Sequence, residues 1–366
     1  MQNEKTTGRK KISPLLAFTT VLSACCLCCC ILILALQVWD MYGNVPAAGT
    51  EEAEDVTDTE DTTPRLYTED EYLLAIFEAR TEGANEARAE LKNEFKDMYM
   101  NSTSIVERLR EFYPDDIIYY GNGGYQFIPV NPNIPAFPYN AEDFTVLENK
   151  EIQRYENGEV VSVKGIDISK YQENVDWDKV AASGVEFAMI RVGIRGYGTG
   201  EIVLDGNFEE NVEGATAAGM DVGVYFFSQA VSREEAIEEA NFVLQQIAPY
   251  RITYPIVLDV EEVNDSAART AHLTQAQRTE YAVAFLETIR NAGYTPMIYG
   301  NMNSFFTMLD FEQVKDYERW FAFYDTNLYF PYELSIWQYT DKGHVDGIEG
   351  NVDLNILFQR KEWAHP

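Results

Sequence analysis

Two carboxylates, Asp259 and Glu261, close the run YPIVLDVE at residues 254–261. Ahead of them, Ile256, Val257 and Leu258 form a short, β-branched apolar stretch that suits a strand covered on both faces. Side chains alternate along a strand, so the two acids project to the same side. Their Cα atoms then lie roughly 6.6 Å apart, at about 3.3 Å of rise per residue. Acids on one face of an apolar strand repel each other and lose hydration. That pushes one pKa up and leaves the other group ionised. Cleavage of a glycosidic bond needs such a pair, one acid for the leaving oxygen and one carboxylate for the other side of the linkage. A bare D-x-E also begins many solvated loops, so the rest of the chain has to decide.

Other apolar runs also end in polar or aromatic groups. Asp167 closes the first, Tyr225 and Ser228 the third, and Tyr299 the fifth. Tyr324 and Asp325 follow the sixth; Trp337, Gln338 and Tyr339 mark the seventh, and Asp353 and Asn355 the eighth. Acids and aromatics at most of eight ends describe a carbohydrate cleft, because rings stack on sugar faces and carboxylates bind hydroxyls and move protons. For any single ring, core packing is an equal alternative.

The elements that position these groups follow a regular rhythm. Strand candidates cover 163–169, 186–193, 221–228, 254–261 and 294–300. Amphipathic helices are expected between them, over 177–184, 207–220, 233–248 and 275–293, with Gly184, Gly219 and Gly293 placed as C-terminal stops. One crossover helix per strand implies a parallel sheet. Three further strands, over 319–325, 334–340 and 350–356, have little helix between them. The expected fold class is α/β, a flattened (β/α)5(β)3 TIM-like barrel preceded by a transmembrane helix and a helical stalk region. Chemistry in such barrels sits at the C-terminal strand ends.

The expected organisation is a cytoplasmic tail over 1–12, a transmembrane anchor over 13–39 and an acidic linker over 40–67. A helical stalk over 68–112 and a small β/loop segment over 113–160 come next, then a catalytic barrel over 161–362. Residues 14–36 are apolar and uncharged, about the length that crosses a bilayer. Lys5, Arg9, Lys10 and Lys11 precede them, which orients the N-terminus to the cytoplasm and the barrel outside. The expected location is therefore the cell membrane, single-pass, with membrane contact through 13–39. An uncleaved anchor is preferred over lipoprotein processing at Cys25, since the residues after it stay apolar to Leu36. Net charge is −32, which argues against a nucleic-acid partner. All five cysteines fall between Cys25 and Cys30, so none remains for a zinc site in the barrel. His272, His344 and His365 show no metal-ligand spacing. No cofactor and no metal are expected.

The segments GIDISKYQENVDW (165–177), FAMIRVG (187–193), YPIVLDVE (254–261), MIYGN (297–301), WFAFY (320–324), IWQYT (336–340) and GNVDLN (350–355) occur in one order. Together they resemble the glycoside hydrolase family 25 lysozymes, the Chalaropsis-type muramidases, over about residues 163–358. The resemblance implies hydrolysis of the β-1,4 bond from N-acetylmuramic acid to N-acetylglucosamine in peptidoglycan glycan strands, without a cofactor. It also implies that Glu261 is the proton donor, with Asp259 the second strand-four carboxylate and Asp167 the first-strand acid. Asp353 would be the supporting acid, and Tyr225, Tyr299 and Trp337 would be cleft aromatics. Asp259 would either stabilise the oxocarbenium-like centre or orient the substrate's 2-acetamido group; the Cα spacing fits retaining and inverting geometries alike. One departure is visible. The family often carries Tyr-His-Phe on the third strand, where this chain has Tyr225-Phe226-Phe227, and alternation turns Phe226 away from the cleft. The alternative is a non-catalytic, membrane-tethered wall-binding or scaffold module. Its mark would be loss of Asp167, Asp259 or Glu261, and all three are present. A chitin-directed hydrolase of related shape is a weaker alternative.

Overall fold

A computed structural model describes residues 68–101, 104–121 and 123–366. The chain divides into two units, Met1–Glu82 and Gly83–Pro366. Helix α1, Glu69–Asn101, opens with Glu69, Asp70 and Glu71 at its positive end, which offsets the helix dipole. In the larger unit a short helix α2, Ile105–Phe112, leads into the antiparallel hairpin β1, Asp116–Gly121, and β2, Gly124–Pro129. Three short strands follow, β3 (Phe144–Val146), β4 (Ile152–Glu156) and β5 (Glu159–Val160), in one antiparallel sheet.

The barrel begins at β6, Val163–Ile168. It continues through α3 (Trp177–Ala182), β7 (Phe187–Arg195), an appended strand β8 (Ile202–Leu204), α4 (Phe208–Ala217) and β9 (Asp221–Phe227). Then come α5 (Arg233–Ile247), β10 (Ile256–Asp259), α6 (Gln275–Asn291) and β11 (Pro296–Gly300). A single π-helical turn and a four-residue helix α7, Phe311–Val314, lead to β12, Glu318–Ala322. Strands β13, Ile336–Gly343, and β14, Val352–Leu357, finish it. Pairing is parallel from β6 to β13 and antiparallel for β13–β14 and β14–β6. Eight strands therefore close, five of them followed by crossovers.

Capping explains where the helices start. The Ser232 side chain accepts from the Glu235 N–H, and Thr274 and Gln277 exchange a capping box, each satisfying donors that a helix start leaves open. The connection after α4 turns through Gly219 at φ 80°, a left-handed conformation that favours glycine.

Alternation sorts the strand residues into two cores. Phe187, Met189, Val257, Met297, Trp320, Ile336 and Leu357 fill the barrel. Gly165 leaves room for this packing, since a Cβ there would meet the Phe187 ring at 2.1 Å. Ile166, Ile190, Val224, Phe226, Leu258, Ile298, Phe321 and Ile356 face outward onto the surrounding elements. Phe226 packs 6.1 Å from Phe242 of α5, the outward direction expected for it. At the end of β9, Ser228 donates to buried Glu239, which also pairs with Arg195 at 2.7 Å. Burial pushes Glu239 up to about 7 against both partners.

Beyond β11 the barrel lacks long helices, and the segment before the barrel covers that side. Phe137, Tyr139 and Phe144 close on Phe358 at 5.2 to 5.7 Å. Arg154 Nε donates to the Phe358 carbonyl at 2.9 Å, and Ala136 bridges Tyr332. Phe305, Phe311, Phe330 and Tyr332 extend this aromatic layer.

Two expectations need correction. The membrane-anchored reading, with its transmembrane helix, membrane partner and single-pass location, is not upheld. Among the described residues no helix is long and apolar enough to cross a membrane. The longest, α1, carries Arg80, Arg88, Glu90 and Lys92 along its middle, charges that a bilayer core disfavours. Residues 13–39, where the anchor was placed, and the tail and linker around them lie outside the described residues. A separate helical stalk over 68–112 is corrected too. Helices form there, but from Gly83 onward the chain belongs to the barrel's unit. Arg110 of α2 donates to the Ile118 carbonyl and stacks 3.3 Å over the Tyr329 ring.

Phe358 is 2% exposed at the centre of the aromatic seam. Phe358→Ala is expected to cost about 3–5 kcal/mol, read as a lower midpoint in urea unfolding.

Candidate active site

Register brings the acids to one rim. Asp353 sits opposite Asp167 across β14–β6, and Asp259 lies beside Tyr299 across β10–β11. Tyr225 lies beside Val257, one inward position below Asp259. These are the C-terminal ends of the parallel strands and the start of the antiparallel β14. Glu261 follows two residues after β10 closes.

Asp167 is held by amides. Its Oδ2 accepts from Gln338 Nε2 and Asn355 Nδ2, both at 2.8 Å. The far ends of these amides are occupied too. Gln338 Oε1 accepts from the hydroxyls of Tyr299 at 2.8 Å and Tyr324 at 3.0 Å, while Asn355 Oδ1 accepts from Trp320 Nε1 at 2.8 Å. Each amide is thereby fixed in one orientation and delivers its N–H to the carboxylate. Even so, burial pushes Asp167 up to about 6, with the charge of Glu261 adding to it.

Asp259 is 4% exposed and its Oδ1 has no hydrogen-bond partner. Burial holds it well above the ordinary carboxylate range; Glu261 and Asp167 push the same way, and Arg191 opposes them. Glu261 is raised chiefly by burial, and a hydrogen bond from Asp259 pulls it back. Both carboxyls are raised by burial, and each acts on the other's titration, so they titrate as a linked pair. Asp353 is pushed up to about 8 by burial, then by Asp167 and Asp341. Arg191, the cation facing these acids, is itself bound to buried Asp205 at 2.7 Å and lies 5.1 Å from the Tyr171 ring. It offsets their repulsion only in part.

A cleft of about 600 Å³ opens beside Glu261, with Tyr299 and Tyr324 in its wall. Tyr225 packs edge-on to Trp320 at 6.0 Å, and Tyr299 does so at 4.5 Å. The structure thus gathers Asp167, Asp259, Glu261, Asp353, Tyr225 and Tyr299 at one mouth. Trp337 is elsewhere. It is fully buried in the outer core, donates to the Phe323 carbonyl and meets Phe144 at 6.2 Å. Its neighbour Gln338 takes the inward position. Alternation allows only one of two adjacent residues to face the cleft, and the polar one does. Tyr324, Gln338 and Asn355, named from the sequence only as strand-end groups without a role, take part in the site, and Trp320 and Arg191 belong to it without having been singled out. A polar residue on the inward parity of an apolar strand is the signal that would have found Gln338 and Asn355. Among the described residues no group of three His, Cys, Asp or Glu could hold a metal ion.

These raised pKa values have a consequence for stability. The unfolded carboxyls release their protons near pH 4, whereas the folded chain keeps them to about 6 at Asp167 and about 8 at Asp353. The folded state then binds more protons, so stability falls as pH rises through those values. The thermal midpoint is expected to be higher at about pH 5 than at about pH 8. Asp353→Asn should narrow that difference.

The sequence profile of glycosyl hydrolases family 25 matches residues 166–348. The uncharacterized protein YegX of Escherichia coli is 30% identical over 207 residues, covering 54% of this chain and 70% of that protein. An autolytic lysozyme of Clostridium acetobutylicum is 28% identical over 196 residues, covering 53% of this chain and 55% of its own. Among solved structures, the modular autolysin LytC of Streptococcus pneumoniae, in complex with a synthetic peptidoglycan ligand, is 22% identical with a TM-score of 0.49. That match covers 68% of this chain and 56% of LytC. The profile spans the first acid, the D-x-E strand and the inward glutamine, and the chain belongs to glycosyl hydrolases family 25.

Proposed function

We propose that Glu261 is the proton donor and Asp259 the charge-facing carboxylate of this glycoside hydrolase. The enzyme is a peptidoglycan hydrolase of the lysozyme type, a muramidase. The observation that supports the assignment is the layering of the pair. Glu261 lines the open cleft, while Asp259 lies buried beneath it with an unpartnered oxygen.

The bond cleaved is the β-1,4 linkage from N-acetylmuramic acid to N-acetylglucosamine. A bound sugar displaces water from Glu261, which strengthens the burial that already raises it. Glu261 then holds the proton that the raised pair retains. Glu261 passes it to the glycosidic oxygen, the C1–O bond breaks, and its electron pair leaves with that oxygen. Both carboxylates are now ionised, and Asp259 faces the positive charge developing at the sugar. Water supplies hydroxide to C1 and returns a proton to Glu261. Asp167, clamped by Gln338 and Asn355, and Asp353 beside it keep the mouth negative as this charge develops. Tyr225 and Tyr299 shape the sugar face of the cleft.

Glu261→Gln removes the proton donor and keeps the shape. Turnover of purified peptidoglycan, followed by release of reducing ends, is expected to fall at least about 10²-fold to 10⁴-fold. The thermal midpoint should stay within a few degrees of the parent. Turnover at the parental rate would remove Glu261 from this role.

A further inference from the structure

The cleft beside Glu261 is not built by the family domain alone. One wall is the segment before it: Arg110 of α2 and Tyr119, Tyr120 and Gly121 of β1 line the same cleft as Glu261, Glu262 and Tyr324. The profile match begins at residue 166, so this wall comes from chain that lies outside it.

The wall is held in place. Ile118 N–H donates to the Tyr329 hydroxyl at 2.9 Å, the Tyr119 hydroxyl meets Thr307 Oγ1, and Arg110 is stacked on Tyr329. What it presents is different in character. Tyr120 is 62% exposed, and its ring is braced edge-on by Tyr125 at 5.3 Å. Tyr324, 53% exposed, lies on the barrel side of the same cleft. Exposed rings on two sides of a cleft offer stacking faces for sugar. Arg110 enters no ion pair among the described residues. Two carboxylates, Glu261 and Glu262, line this cleft, and they would repel an anionic substrate. A guanidinium in the opposite wall supplies the complementary charge and a fork suited to a carboxylate.

We propose that the α2–β1 wall is an added substrate subsite, in which Tyr120 stacks on a sugar of the glycan strand and Arg110 binds a carboxylate of its stem peptide. This rests on the reading of the chain as a peptidoglycan hydrolase. It adds that the extension before the barrel selects strands that still carry peptides.

The test uses the full chain on two soluble polymers, peptidoglycan with its stem peptides and the same glycan strands with the peptides enzymatically removed. Tyr120→Ala is expected to raise KM about fivefold to tenfold on both polymers, with kcat within about twofold. Arg110→Gln is expected to raise KM by a similar factor on the peptide-bearing polymer only, and Arg110→Lys to restore part of the loss. Tyr120 is exposed, so its variant should fold as the parent does, and a thermal melt checks each protein. Wild-type KM for both variants would overturn the subsite, and an equal effect of Arg110→Gln on both polymers would overturn the carboxylate contact. A parallel measurement needs no turnover. Binding of the Glu261→Gln chain to the two polymers should weaken by the same factors when Tyr120→Ala or Arg110→Gln is added. If that pattern holds while Glu261→Gln still turns over, the catalytic assignment fails and the subsite stands.

Discussion

The constraint on which the rest depends is the crowding of four carboxyls, Asp167, Asp259, Glu261 and Asp353, at one mouth of the barrel. Ionised together in a buried place they would repel one another and forgo hydration. The fold meets this in three ways. Amides clamp Asp167 with two N–H donors. Arg191 stands opposite Asp259 but is shared with Asp205. The remaining strain is relieved by keeping protons, so all four acids titrate above their ordinary values. A retained proton beside a cleft is what a general acid requires. The feature that works against stability above neutral pH is thus the same feature that supports the chemistry.

Such a mouth needs rigid support, and two layers supply it. Inside, Trp320 joins the apolar filling of the barrel to the polar tier above it, packing on Tyr299 and Tyr225 while its N–H holds Asn355. Outside, helices cover the first five strands. Where helices are missing, the aromatic seam of Phe137, Tyr139, Phe144 and Phe358 takes over. The segment before the barrel therefore completes the core, and its first hairpin reaches the cleft as well. This explains why residues from Gly83 onward form one unit.

Much of the barrel was legible from periodicity. Strands such as IVLD and helices such as REEAIEEANFVLQQI carry their alternation, caps and stops in plain view. Asp259 closes its strand as the pattern suggested, but Glu261 lies two residues past the strand's end, where alternation no longer sets its direction. Trp337 shows where that legibility ends. Trp337 and Gln338 are adjacent, one must face inward, and ring chemistry alone points to the wrong one. The segment before the barrel that covers Trp337 makes contacts more than a hundred residues away in sequence, and local pattern carries no trace of them. Asn355 and Trp320 are similar, since their roles depend on a hydrogen bond between β12 and β14. The helices over 68–112 were visible as helices, but the joining of α2 to the barrel rests on tertiary contacts such as Arg110 with Tyr329.

The most direct test of the central claim is a carbon NMR titration of the side-chain carboxyls in the full chain, with Asp167, Asp259, Glu261 and Asp353 assigned by single amide replacements. All four are predicted to titrate above the ordinary carboxylate range, with Asp259 and Glu261 showing linked steps rather than independent ones. Removing either member of that pair should move the other's midpoint. Four independent midpoints near about pH 4 would contradict the account, because the mouth would then hold no proton to give.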